Sequence, residues 1–383
     1  MRAPFALLAG LLPLQVAALS PPRVARLAGM LTLSAPMFGL MAVFASPDLP
    51  LICAVLAALQ LDRPGRRPAP ARSLAVGGLW GLALLAKLPA LLLGLALIPR
   101  AARRGPGDLL ALLLAAGLVW SPVLAFNLGH GLVMFRFHLL ERHVQPLGAV
   151  GGLLAFLGGL LALGLGLVAG LAARPGQRAG GWALGVAWIT LFSASALRTR
   201  ALPHWGAPGL ALLAPAAALR LRGRPRSRRA LVVGGLALGA VVWLQAGFGL
   251  LPLPPTLDPT RELQGWRSLA PALERERSAL GPDALILSPR YQLSSQVAWV
   301  LGADAPVDRI GGRPDQFDLW ADPAARQGRD AVVFCSEHLP CARPPGRWTG
   351  GCTARPPITH QDSAGRAVRA LRVWWCKGLS APG

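Results

Sequence analysis

Long apolar runs separated by short polar loops fill roughly the first two-thirds of the chain. A simple membrane span needs about 20 apolar residues, and several runs are shorter, so these require tilted helices or a locally thinned bilayer. The pattern predicts a polytopic α-helical membrane domain. Its predicted segments are 4–19, 27–45, 47–61, 73–99, 109–126, 148–173, 181–197, 206–219 and 230–251.

The last third of the chain follows a proline-rich linker and mixes helix-type with strand-type patterns. These patterns predict a small soluble α/β domain at 258–383, after a membrane domain at 1–257. Its predicted helices are 261–280 and 291–301, and its predicted strands are 284–288, 331–334 and 370–376.

Composition supports the membrane assignment. Of the 383 residues, 53% are hydrophobic and 15% are charged, whereas soluble domains have about 25% charged residues. The net charge of +22 comes largely from arginines in the loops of residues 1–257, where such residues set membrane orientation. Because no basic patch is interleaved with aromatic residues, we do not expect nucleic-acid binding.

The arginines also predict which loops are cytoplasmic. Seventeen basic residues fall in five loops, at 23–26, 63–72, 100–104, 174–178 and 220–229, and the positive-inside rule places these loops in the cytoplasm. The C-terminal domain then lies outside. The N-terminus lies outside as well, which predicts that a further helix and outer loop precede it; a cleaved signal peptide over residues 1–20 is the alternative.

This orientation places both flanks of segment 73–99 in the cytoplasm, so the segment must turn back within the membrane. We expect the break at Lys87-Leu88-Pro89, because proline interrupts helices and disfavours helix in the residue before it. The alternative is one straight helix with Lys87 buried or snorkelling.

Polar residues of the membrane domain collect in the predicted outer loops. A carboxylate there can accept a proton from a hydroxyl group, and cations can hold a lipid phosphate and stabilise it as it leaves. The candidates are Asp48, Lys87, His130, Arg136, His138, Glu141, Arg142, His143, Arg198, Arg200 and His204.

Each candidate also has a purely structural interpretation. Asp48 could cap the helix that it begins, Arg136 and Arg142 could anchor the chain at the interface, and His204 could belong to an aromatic belt. The histidines have no spacing typical of a metal site, and participation of a divalent metal ion stays open. Lys87 is the strongest candidate, because a cation within a membrane is costly unless it is used or paired; Asp48 is its expected partner.

Four cysteines fall in the C-terminal domain: Cys335, Cys341, Cys352 and Cys376. Disulfides are expected if this domain lies in an oxidising compartment, and four cysteines allow three pairings.

Several of these stretches resemble the bacterial membrane glycosyltransferases of family 39. These are relatives of the protein O-mannosyltransferases and of the lipid A aminoarabinose transferase. The similar stretches are Ser46-Pro47-Asp48-Leu49-Pro50, the apolar run 81–87 that ends in Lys87, the loop 127–143, Pro203-His204-Trp205, and 258–261, 290–293 and 315–320 in the C-terminal domain.

The resemblance implies a GT-C fold and inverting transfer of a sugar from a polyprenyl-phosphate donor to a lipid, glycan or protein acceptor. Transfer would occur among membrane lipids at the periplasmic face of a bacterial inner membrane. The resemblance gives catalytic roles to Asp48 and Lys87. It gives substrate-binding roles to His130, Arg136, Arg142, His143 and His204.

One feature of that family is absent from the sequence. Its members carry an acidic Asp-Glu pair in a first outer loop, where it supplies the catalytic base, but the first acidic residue here is Asp48. The alternative is therefore a truncated or inactive relative that binds polyprenyl phosphate or acts as an envelope scaffold. A transporter is less favoured, because no inverted repeat is visible.

Overall fold

The computed structural model describes residues 3–63, 67–138, 148–178, 181–251, 253, 258–302, 304–311, 315–320, 322–337, 340–361, 365 and 367–380. The chain divides into two compact units, Met1–Trp243 and Leu244–Gly383. The predicted domain limits, 1–257 and 258–383, remain a prediction.

Helices make up the first unit. They are α1 (Ala3–Leu19), α2 (Ala25–Ser34), α3 (Pro36–Val43), α4 (Asp48–Leu61), α5 (Pro70–Ala86), α6 (Leu91–Arg104), α7 (Pro106–Gly129), α8 (Val133–Arg136), α9 (Gly148–Gly164), α10 (Trp182–Ala196), α11 (Ala207–Leu221) and α12 (Pro225–Phe248), the last of which continues into the second unit. Short 3-10 turns at Pro22–Val24, Leu88–Ala90, Leu165–Gly170, Pro175–Gln177 and Pro203–Gly206 join them.

Three helical segments among the described residues are long and apolar enough to cross a membrane: α7, Gly148–Gly170 and α12. The predicted segment 27–45 is instead two helices, α2 and α3, bent by 50°. Ala35, the residue before Pro36, is extended (φ −75°, ψ 115°), because the proline ring disfavours helical geometry in the preceding residue.

The predicted break in segment 73–99 is present. Helix α5 ends at Ala86, Lys87 is extended (φ −166°, ψ 132°), and Leu88–Ala90 forms a 3-10 turn before α6 begins. The alternative of one straight helix is therefore wrong.

Glycines let α5 and α7 pack closely. A Cβ atom at Gly77 would overlap the carbonyl oxygen of Leu112, and one at Gly81 would lie 2.9 Å from the carbonyl oxygen of Ala116. Small residues four positions apart are the usual way for membrane helices to approach.

The second unit is built on a five-stranded sheet. Its strands are β1 (Leu285–Ser288), β2 (Val307–Arg309), β3 (Ala331–Ser336), β4 (Cys352–Gln361) and β5 (Ala367–Cys376), in the order β2-β1-β3-β5-β4. Strand β1 is parallel to β2 and β3, whereas β5 is antiparallel to β3 and β4. The helices are α13 (Trp266–Leu280), α14 (Tyr291–Leu301), α15 (Gln316–Trp320) and α16 (Pro323–Arg326). Every residue of β1 and β3 is buried, as expected for strands covered on both faces.

Two features of the predicted α/β pattern are corrected. The helix predicted from residue 261 begins at Trp266, because Gly265 adopts a positive φ of 77° and Pro259–Leu263 forms a 3-10 turn before it. Strands β2 and β4 were not predicted. β4 contains Pro356-Pro357 and lies at the sheet edge, where proline is tolerated because no donor is required on the open side.

The structure decides among the three cysteine pairings. Disulfides join Cys335 to Cys341 and Cys352 to Cys376. The second bond joins residues directly opposite each other in the β4–β5 register. The fifth cysteine, Cys53, is free and buried in the first unit.

Substitution of Gly77 by alanine should destabilise the first unit by about 1–3 kcal/mol, because the added methyl group overlaps the α7 backbone. The matched control is Gly78→Ala, where an added Cβ meets nothing within 4 Å. Thermal unfolding of the two full-length variants in detergent measures the difference. Equal losses of stability would show that the α5–α7 approach does not constrain the fold.

Unfolding the full-length protein without reductant should expose one reactive thiol, that of Cys53, because the other four sulfurs are in disulfides. Mass spectrometry after maleimide labelling should show one adduct, and five after reduction. Five adducts without reductant would contradict the assigned disulfides.

Candidate functional site

Asp48 is the first residue of α4, and its carboxylate is buried at 2% exposure. The Ser46 hydroxyl donates to Asp48 Oδ2 at 2.8 Å, and the N-cap position of α4 is Pro47, one residue before Asp48. Asp48 is therefore a first-turn residue of α4 and not its N-cap residue. The carboxylate is held for interactions with other parts of the unit.

Lys87 supplies the principal interaction. Its Nζ lies 2.8 Å from Asp48 Oδ1, and its side chain is 21% exposed. The ammonium group also lies 5.4 Å from the centroid of the Trp205 ring, within the range of a cation–π interaction. The extended backbone at Lys87, where α5 ends, brings the α5–α6 break next to the start of α4.

The 3-10 turn Pro203–Gly206 contributes the third part of the site. His204 Nε2 lies 3.8 Å from Asp48 Oδ2. The indole of Trp188, in α10, donates to the Trp205 carbonyl oxygen at 2.9 Å and fixes the turn. Three separate loops thus meet around one buried carboxylate.

A cavity of about 560 Å³ lies beside this cluster, within the size range of small-ligand sites. Much of its wall is apolar and comes from the end of α10, including Leu191 and Phe192. Its polar lining residues are Lys87, His138, Ser195, Arg198 and Thr199.

The hydroxyl groups of Ser195 and Thr199 lie 3.1 Å apart. Sequence reasoning placed Arg198 and His138 among the outer-loop candidates but did not select Ser195 or Thr199. Arg198 and Thr199 follow the last turn of α10, where their backbone N–H groups bond to the Ser195 carbonyl oxygen, and no local sequence pattern indicates that this helix end borders a cavity.

The other predicted site residues are distributed differently. His130 is exposed, stacks on Phe126 with ring centroids 4.1 Å apart, and bonds through Nδ1 to the Phe126 carbonyl oxygen. Arg136 and Arg200 are exposed. Neither His130 nor Arg136 forms a hydrogen bond or ion pair with Asp48 or Lys87 among the described residues. Glu141, Arg142 and His143 lie outside the described residues.

The site can hold an anion. The Asp48 carboxylate balances one cation, while both Lys87 and Arg198 line the cavity, with the titratable His138 beside them. Ammonium and guanidinium groups are strong donors to phosphate. Within the described part of the chain, no group of three or more His, Cys, Asp or Glu residues could hold a metal ion.

The fold is that of solved membrane proteins. Two structures of ArnT from Cupriavidus metallidurans match the chain, one bound to undecaprenyl phosphate (TM-score 0.56) and one in the apo state (TM-score 0.54). In both cases the identity is 17%, and the match covers 97% of this chain and 83% of the other. No protein-family model and no curated protein matches the chain. The predicted GT-C-like fold with a small C-terminal α/β domain is confirmed.

Removing Lys87 alone should destabilise the first unit, because it leaves the buried Asp48 carboxylate without its ammonium partner. A double-mutant cycle of Lys87→Met and Asp48→Asn should give a coupling free energy of about 1–3 kcal/mol in thermal unfolding of the full chain. Arg26→Gln, at an exposed position, is the control and should change stability by less than about 0.5 kcal/mol. Strictly additive effects of the two substitutions would contradict the pairing.

Proposed function

We propose that this chain is an inverting glycosyltransferase that takes its sugar from a polyprenyl-phosphate donor. The acceptor is a lipid, glycan or protein at the periplasmic face of a bacterial inner membrane. One observation carries the proposal: the Lys87–Arg198 cavity lies in a fold shared with ArnT, and ArnT has been solved with undecaprenyl phosphate bound.

The cavity suits the two chemical parts of such a donor. The apolar α10 residues can contact the polyprenyl chain, and the cations of Lys87 and Arg198 can hold the phosphate. An ammonium group has three donors, so Lys87 can bind Asp48 and a phosphate oxygen together. The hydroxyls of Ser195 and Thr199 can bond to the phosphate or the sugar.

Asp48 acts in this proposal as a positioning residue. Its oxygens already accept from Ser46 and Lys87, and its side chain is buried. The carboxylate holds the Lys87 ammonium in place beside the cavity. The catalytic role predicted for Asp48 is therefore exerted through Lys87.

The proposed transfer requires that the negative charge developing on the donor phosphate is stabilised. As the bond between the anomeric carbon and the donor oxygen breaks, negative charge grows on the phosphate, and Lys87 and Arg198 stabilise it. The acceptor hydroxyl attacks the anomeric carbon from the opposite face, which inverts its configuration. The hydroxyl proton passes to an oxygen of the departing polyprenyl phosphate, which gains negative charge in the same step.

The orientation is supported by the arginine distribution. Asp48 and Lys87 lie on the predicted outer side, opposite the five arginine-rich loops. The two disulfides in the second unit agree with an oxidising compartment for that unit. Both observations favour a periplasmic site and a periplasmic C-terminal domain.

A second candidate is a relative that binds polyprenyl phosphate without transferring sugar. This second candidate is favoured by the hydrogen bonds that the Asp48 carboxylate makes. The Asp48 oxygens are engaged by Ser46 and Lys87, so this carboxylate is poorly placed to take a proton from an acceptor hydroxyl. Binding and transfer must therefore be measured separately.

Lys87→Ala should weaken binding of undecaprenyl phosphate by the full-length protein in detergent about tenfold to hundredfold, because a charge-assisted bond to the phosphate is lost. Arg198→Gln should weaken it as well, and Arg26→Gln, at an exposed position away from the cavity lining, should not. Titration with the fluorescent or radiolabelled lipid gives the dissociation constants. Unchanged binding in both cavity variants would overturn the site assignment.

Transfer is tested by profiling lipid-linked glycans in cells with and without the gene. If the protein is a glycosyltransferase, deletion of the gene should cause one polyprenyl-phosphate sugar to accumulate and one glycosylated acceptor to disappear. A copy of the gene that carries Lys87→Ala should not reverse this change. If the profile is unchanged while the purified protein binds undecaprenyl phosphate, the non-transferring relative is correct.

A further inference from the structure

A second cavity, of about 450 Å³, lies between α4, α6 and α10. Its walls are apolar and include Leu59, Leu95 and Ala187, and its cationic lining residues are Arg100 and Arg103. It shares no lining residue with the cavity beside Lys87.

This cavity lies toward the end of α4 that is remote from Asp48. Helix α4 has 14 residues, so its ends are about 20 Å apart at the usual rise per residue. Leu59 lies in the last turn of α4, whereas Asp48 is its first residue. The cavity is therefore separate from the candidate glycosyltransferase site, and the inference below does not rest on the proposed function.

Along α6 the lining changes from apolar to cationic. Leu95, Pro99 and Arg103 are spaced four residues apart and share one helical face, with Arg103 in the last turn. A lining that runs along α6 from apolar residues to guanidinium groups at the helix end matches the order of an acyl chain and its phosphate headgroup.

The arginines at this end exceed their carboxylate partners. Asp62, fully buried, accepts a hydrogen bond from Arg100 at 3.4 Å and forms an ion pair with Arg104 at 2.7 Å. Asp108 pairs with Arg104 at 3.2 Å. Arg103 is exposed, and no carboxylate among the described residues contacts it. Three guanidinium groups with two carboxylates leave one positive charge at the cavity.

We propose that this cavity binds one anionic phospholipid, with its phosphate on Arg100 and Arg103 and an acyl chain along Leu59, Leu95 and Ala187. Guanidinium groups bind phosphate in a bidentate way that fixes the headgroup. The surplus positive charge selects a lipid of net negative charge over a zwitterionic one. The cavity volume falls within the range of small-ligand sites.

Native mass spectrometry of the full-length protein tests this proposal, with phosphatidylglycerol, phosphatidylethanolamine and undecaprenyl phosphate added separately. The protein should retain one phosphatidylglycerol in preference to phosphatidylethanolamine. Lys87→Ala should retain it too, because the site beside Lys87 is not involved.

Two variants should weaken phosphatidylglycerol binding about tenfold. Arg103→Gln removes a charge-assisted contact, and Ala187→Leu fills the apolar wall. Arg228→Gln, an exposed arginine of α12, is the matched control and should bind as the unaltered protein does. Because Arg103 is exposed, its variant stays informative even if Ala187→Leu fails to fold.

Three results would overturn the proposal. The first is unchanged phosphatidylglycerol binding in Arg103→Gln. The second is equal retention of phosphatidylethanolamine, which would assign the arginines to stabilising the C-terminal end of α6 only. The third is retention of undecaprenyl phosphate in place of phosphatidylglycerol by the Lys87→Ala protein.

Discussion

The ion pair between Asp48 and Lys87 is the interaction on which the arrangement of the first unit depends. A charge inside a membrane or a protein core costs several kcal/mol unless it is paired. Asp48 is almost fully buried, and Lys87 is the one lysine in residues 1–257. Their pairing ties the start of α4 to the break between α5 and α6. The same break exposes part of Lys87 to the cavity.

The two ends of α4 illustrate two uses of buried charge. At one end, Asp62 is shared by Arg100 and Arg104, which ties α4 to the last turns of α6. At the other end, Asp48 holds one lysine whose remaining donors can reach a ligand. Both carboxylates are buried, so neither exists for solubility. The Asp62 carboxylate stabilises helix packing through its two arginines, whereas the Asp48 carboxylate also positions a lysine that can bind a ligand.

A fold shared with ArnT at 17% identity shows how little of the sequence the architecture requires. Apolar runs, prolines at helix breaks and small residues such as Gly77 and Gly81 at a close helix contact contribute to it in this chain. Function resides in the few polar residues that the fold brings together. The proposed transferase activity therefore depends on Lys87 and Arg198, which the fold shared with ArnT places at the cavity.

The sequence by itself determined most of the helices of the first unit, the break at Lys87 and the buried strands β1 and β3, because each follows from the cost of placing polar groups in an apolar environment. It also indicated Asp48 and Lys87, because a charged residue within an apolar run costs free energy unless it is paired or used.

The tertiary structure alone decided the rest. Strand β2 carries Asp308 and Arg309, whose charges are balanced by Arg326 and Asp315 from later in the chain. The cysteine pairing depends on the β4–β5 register, and the selection of Ser195 and Thr199 depends on which helix end borders the cavity. Contacts between distant parts of a chain produce no local sequence pattern, because the residues that make them come close to each other only after the chain has folded.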